Sequence, residues 1–160
     1  SFQADLIMEI LGWVEFKTSY NYLDVYRAEA GQKTQLPFNS KHRILSAISV
    51  SPLDRKWAAD LNLHWFSEQR LPNTSMNPPE YQRPDFSEAY ATVNAQFSYF
   101  FPKFELYLGC ENIFDFRQTQ PIISWQDPFG PYFDTSSNWG PTRGREFYIG
   151  FRFFIDREQG

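Results

Sequence analysis

The sequence predicts an all-β fold, an antiparallel transmembrane β-barrel wall, on three observations. Apolar and polar side chains alternate with period two in segment after segment, and helical periodicity is absent almost throughout. The chain is rich in aromatics, with 17 Phe, 9 Tyr and 5 Trp among 160, and Trp57 and Trp65 stand at both ends of one apolar stretch, where membrane strands carry their interfacial rings. Short and long connections alternate strictly, as the two rims of a membrane barrel require.

The first expected strand is Phe2 to Ile10. From Val14 the even positions Val14, Phe16, Thr18, Tyr20 and Tyr22 oppose Glu15, Lys17, Ser19 and Asn21, which separates an apolar from a polar face. His42 to Pro52 alternates less cleanly, with Ile44, Ile48 and Val50 on one side but Leu45 and Ala47 on the other. From Trp57 the set Trp57, Ala59, Leu61, Leu63, Trp65 faces away from Ala58, Asp60, Asn62, His64, Phe66 and Glu68. Two Trp residues thus bracket an apolar band, the pattern that a bilayer imposes on a spanning strand.

Ala89, Ala91, Val93, Ala95, Phe97, Tyr99 and Phe101 alternate with Thr92, Asn94, Gln96 and Ser98, and Phe104, Leu106, Leu108 and Cys110 with Glu105, Tyr107 and Glu111. The last strand sets Phe147, Ile149, Phe151, Phe153 and Ile155 against Glu146, Tyr148, Gly150 and Arg152. That makes about seven strands, each near the 9 to 11 residues that cross a bilayer or somewhat longer. Leu11 to Trp13, Leu53 to Lys56 and Pro102-Lys103 read as tight turns, whereas Ala28 to Lys41, Gln69 to Ser87 and Arg117 to Gly144 read as long loops rich in Pro, Asn, Gly and Ser. Short periplasmic turns and long extracellular loops would run the last strand downward and leave Asp156 to Gly160 as a periplasmic tail.

A bacterial single-chain barrel has an even number of strands, at least eight. Seven strands would leave two open edges in hydrocarbon, so residues 1–155 are expected to be the C-terminal part of a larger barrel. The missing strands should come from elsewhere in the same protein.

Composition narrows the function. A formal charge of −4 with 15 scattered basic residues excludes the basic stripe of a nucleic-acid binder. No apolar run is long enough for a membrane helix, while a mean hydropathy of −0.52 is compatible with strands that alternate between lipid and lumen. Cys110 reads as a small apolar side chain.

Leu108-Gly109-Cys110-Glu111-Asn112-Ile113-Phe114-Asp115 resembles the G-x-E-N-(L/I)-F-(D/N) stretch near the end of TonB-dependent outer-membrane receptors. Asp127 to Asp134, Trp139-Gly140-Pro141, Gly144-Arg145 and Phe147 to Phe153 resemble the C-terminal region of such receptors from Bacteroidetes-type bacteria, and Trp13-Val14-Glu15, Ser19 to Asp24 and Pro37 to Arg43 resemble their upstream stretches. Phe38-Asn39-Ser40 departs where a second proline is usual, and the tail beyond Ile155 departs where many relatives end on an aromatic. The resemblance implies an outer-membrane location in a Gram-negative bacterium, 22 strands around an N-terminal plug, and energy from an inner-membrane complex through TonB. Neither plug nor TonB-contacting segment is in this sequence. Implied partners are the rest of the barrel, the plug, membrane lipid and lipopolysaccharide, with a surface lipoprotein as a further option. Glu15, Lys17, Asp60, Asn62, Glu105, Glu111 and Arg152 would face the plug or water.

The implied function is energised import of a scarce, bulky nutrient: a siderophore, haem, cobalamin, peptide or glycan. A passive channel or adhesin-like barrel is the alternative, a soluble glycan-binding sandwich is opposed by the Trp57 to Trp65 face, and an outer-membrane hydrolase by the lack of catalytic residues. His42, His64 and Cys110 have no metal-ligand spacing, the Asp127 and Asp134 pair reads as turn chemistry before calcium binding, and no cofactor is expected. Trp125, Phe129, Tyr132, Phe133 and Trp139 in the last loop could stack on an extracellular ligand, against a plainer reading as loop packing.

Overall fold

Period-two alternation yields strands wherever it was read. The computed structural model describes residues 1–29 and 31–155, with strands β1 (Phe2–Ile10), β2 (Val14–Tyr22), β3 (Tyr26–Glu29), β4 (Gln32–Gln35), β5 (His42–Val50), β6 (Trp57–Phe66), β7 (Tyr90–Phe100), β8 (Phe104–Glu111) and β9 (Glu146–Phe153). Seven of them form one antiparallel sheet in the order β1-β2-β5-β6-β7-β8-β9. The sheet is not closed: β1 and β9 are its edges. The tail 156–160 lies outside the described residues.

The register keeps the two faces of the sheet distinct across all seven strands. One face carries Leu6, Thr18, Ser46, Leu63, Val93 and, farther along, Phe16, Ile48, Leu61, Ala95, Cys110 and Phe147. The opposite face carries Glu15, Ser49, Asp60, Gln96, Gly109 and Tyr148 in one row. Pairing resolves the weak strand, because Leu45 and Ala47 of β5 lie opposite Ser19 and Lys17 on the polar face. Aromatic rings bracket the apolar face. Trp57 stacks on Phe97, and Phe101 on Phe104, at the tight-turn end, while Phe2, Tyr20, Tyr22 and His42 are in ring contact at the other.

Neither face is covered. Each strand of the sheet touches only its sheet neighbours, so the described residues contain no second layer. The chain exposes 11726 Å², whereas a compact soluble monomer of 18.9 kDa exposes about 8,300 Å². A sandwich would bury the apolar face of one sheet against another. The few buried apolar residues are Val93, Leu71 and Ile123, and the last two lie in connections.

The ribbon β3–β4 overlaps the stretch Ala28 to Lys41 read as loop and begins just before it. Its strands are polar and short, so no hydrophobic alternation announces them. Backbone pairing from Tyr26↔Gln35 to Glu29↔Gln32 holds them, with the Lys33 ammonium 4.5 Å from the Tyr26 ring centroid.

Candidate functional site: the long-loop end of the sheet

The connections 67–89 and 112–145 leave the same end of the sheet and pack on each other, and most of the buried residues among those described lie there rather than in the strands. Asn112 begins this structure. It follows β8 with φ 50°, a left-handed conformation that Asn tolerates, and its backbone N–H donates to Asn94 Oδ1 at 2.8 Å. Its side chain then closes the turn: Oδ1 accepts the Phe116 N–H at 3.1 Å, and Nδ2 donates to the carbonyls of Phe116 at 2.8 Å and Arg143 at 3.3 Å. One amide thereby joins the beginning of the last loop to its end.

Asp115 repeats the device. Its Oδ1 accepts the Arg145 backbone N–H at 2.7 Å and the Arg117 guanidinium at 3.0 Å. The Arg145 hydrogen bond first, then that from Arg117, holds the Asp115 carboxyl below the ordinary carboxylate range. Because the folded value lies below the unfolded one, its contribution is complete above that range and disappears as pH falls through the depressed value. We expect residues 112–145 to become more susceptible to proteolysis in acid below that range. Asp115→Asn should abolish this part of the pH dependence, measured as cleavage rate against pH.

Above this base sits Gln118, a buried amide. Its backbone N–H donates to Pro141 O at 2.7 Å, its Oε1 accepts the N–H groups of Trp139 at 2.8 Å and Gly140 at 3.0 Å, and its Nε2 donates to Ser137 O at 2.6 Å. Gln69, from the other connection, donates to Trp139 O at 2.7 Å. The rings of Tyr90, Phe116 and Trp139 form one cluster, with Tyr90 also stacked on Phe66. Wholly buried Ile123 forms an isolated bridge with Asp134, which closes the loop tip into a hoop.

The five aromatics singled out from sequence divide into two kinds. Trp139 belongs to the packed cluster, and Tyr132 stacks on Tyr81 of the neighbouring connection at 5.1 Å. Trp125 and Phe129 stand out on the hoop, Phe129 fully exposed and Trp125 at 64%, with Phe133 more than one-third exposed. Asp134 accepts the Ser136 N–H at 2.7 Å, and Asp127 takes part in successive turn hydrogen bonds with Ser124 and Gly130. Among the described residues no group of three or more His, Cys, Asp or Glu is placed to hold a metal ion.

All seven charged or polar strand residues singled out lie on the polar face. Glu15 pairs with Lys17 at 2.6 Å, and Asp60 accepts from Ser49 Oγ at 2.6 Å. Asn62 lies opposite Asn94, and Glu111 opposite Glu146. Buried Glu105 pairs with Arg152 at 2.6 Å. His42 lies at the long-loop end, its Nδ1 2.7 Å from the Tyr20 hydroxyl, and His64 lies on the polar face. Sequence reading missed Gln69 and Gln118, whose polarity inside Pro-rich loops looks like solvation. Spacing gives no signal for amides that cap backbone groups far away in sequence. No protein-family model and no curated protein matches the chain.

Proposed function

We propose that this sheet is a sector of the wall of an outer-membrane β-barrel, part of an energy-coupled importer of a scarce, bulky nutrient. One observation carries the reading: a continuous apolar face, seven strands wide and uncovered, with aromatic rings at both ends and a polar face behind it. Water tolerates no such face on a soluble monomer, and lipid requires it. β1 and β9 run in the same direction, so copies of the sheet inserted the same way could not close with antiparallel pairing. An odd number of further strands must lie between the two edges. The resemblance of Leu108 to Asp115 to TonB-dependent receptors supports energised import over a passive channel, and so does the packed loop end, which a simple pore does not need.

The hoop 123–134 is then extracellular, and Trp125, Phe129 and Phe133 offer ring faces for substrate capture. Replacing these three together by Ala, leaving the packed Tyr132 and Trp139 alone, should weaken nutrient binding roughly 10-fold, about 1.4 kcal/mol. Binding and uptake by cells with equal surface levels are the measurements. Unchanged binding would reduce the hoop to scaffold.

A further inference from the structure

β8 and β9 are joined by residues 112–145, so no tight turn sets their register. The apolar face does not set it either. It pairs Leu106 with Phe151 and Leu108 with Ile149, and a slip of two residues would again lay apolar on apolar. The polar face discriminates. Along it β8 reads Glu105, Tyr107, Gly109, Glu111 and β9 reads Glu146, Tyr148, Gly150, Arg152.

Antiparallel pairing sets each tyrosine opposite the other strand's glycine, Tyr107 with Gly150 and Tyr148 with Gly109. Each ring occupies the space that a side chain would need: a methyl group on Gly109 would lie 2.7 Å from Tyr148 Cε2, and one on Gly150 would lie 2.9 Å from Tyr107 Cε2. A slip of two residues one way would oppose Tyr107 to Tyr148. The other way would oppose Gly109 to Gly150 and separate Glu105 from Arg152.

The two halves of this reciprocal contact differ in what lies beyond the glycine. Tyr148 crosses β8 above Gly109, and its hydroxyl donates to Gln96 Oε1 on β7 at 3.0 Å, so that Gln96, Gly109 and Tyr148 form one row across three strands. Tyr107 makes the same crossing over Gly150, but β9 is the sheet edge, and among the described residues the Tyr107 hydroxyl has no hydrogen-bond partner. We propose that an antiparallel strand covers β9 and presents a hydrogen-bond-accepting side chain opposite Gly150, which receives the Tyr107 hydroxyl as Gln96 receives that of Tyr148. The proposal rests on the sheet being a barrel sector. A second copy inserted the same way would bring β1 alongside β9 in parallel, so the covering strand is not one of these seven.

The test uses the full-length protein in isolated membranes, with Tyr107→p-benzoylphenylalanine and, separately, Tyr148→p-benzoylphenylalanine. After photolysis the cross-linked peptides are identified by mass spectrometry. Position 148 should cross-link to β7 around Gln96. Position 107 should cross-link in comparable yield to a strand outside residues 1–155, at or beside an Asn, Gln, Asp, Glu, Ser or Thr. A cross-link from position 107 to another copy of the chain or to a loop overturns the proposal. Absence of a cross-link from 107 while 148 reacts also overturns it, and so does failure of 148 to reach β7. Should the protein extract without detergent and still give the expected pair of cross-links, the membrane reading fails while the edge partner stands.

Discussion

Replacing Leu63 by arginine should lower the stability of the protein in lipid by roughly 2 to 4 kcal/mol, the cost of a guanidinium on the lipid face near mid-membrane. Leu63 lies between Ser46 and Val93 on the apolar face, on a strand bracketed by Trp57 and Trp65. Asn62, one residue away, lies between Ala47 and Asn94 on the polar face. Asn62→Arg should therefore change stability by no more than about 0.5 kcal/mol. Urea unfolding in liposomes measures both. Equal costs would remove the distinction between the faces, and a larger cost at Asn62 would invert it.

Gln118→Ala should release the last loop while leaving the sheet paired. The substitution removes the acceptor of two half-buried backbone N–H groups and the donor to buried Ser137 O, and leaves all three without that partner. Losing three hydrogen bonds, with backbone groups left unsatisfied, costs on the order of 3 kcal/mol. That cost falls on local opening. Hydrogen exchange should accelerate at Trp139 and Gly140 by roughly 100-fold, since each 1.4 kcal/mol is a factor of ten. Exchange in β6 and β7 should stay as it was. Unchanged protection at Trp139 would show that the aromatic cluster alone holds the loop.

The sheet was legible in the sequence because its physics is local. Alternation in Trp57 to Phe66 needs no knowledge of neighbouring strands, and a one-residue shift would reverse every side chain, so strand and face come together. β5 was harder, since Leu45 and Ala47 are apolar on the polar face, and only their pairing with Ser19 and Lys17 assigns them. The β3–β4 ribbon was invisible, being short and polar, with no hydrophobic alternation to announce it.

The loop end was legible in place but not in architecture. Its aromatics could be counted, yet what separates exposed Phe129 from packed Trp139 is contact with Tyr90 and Phe116, which no spacing encodes. Asn112 stood out as part of a recognisable stretch, and its role emerges only when its amide is seen joining residues 31 positions apart. The same limit hid the tyrosine–glycine exchange. Glu-x-Tyr-x-Gly recurs at Glu105 to Gly109 and Glu146 to Gly150, but the match has meaning only once the strands are antiparallel and in register.

The two faces of the sheet are tested most directly by spin labels in the full-length protein reconstituted in bilayers, with Cys110→Ala removing the native thiol. Labels at Leu61, Leu63, Leu106 and Phe151 should collide with dissolved oxygen and be shielded from a water-soluble nickel chelate. Labels at Asp60, Asn62, Gln96 and Arg152 should show the lower oxygen accessibility of a water-facing or protein-packed wall. Equal oxygen accessibility at both sets, or the reverse pattern, would contradict a barrel wall whose apolar face meets lipid.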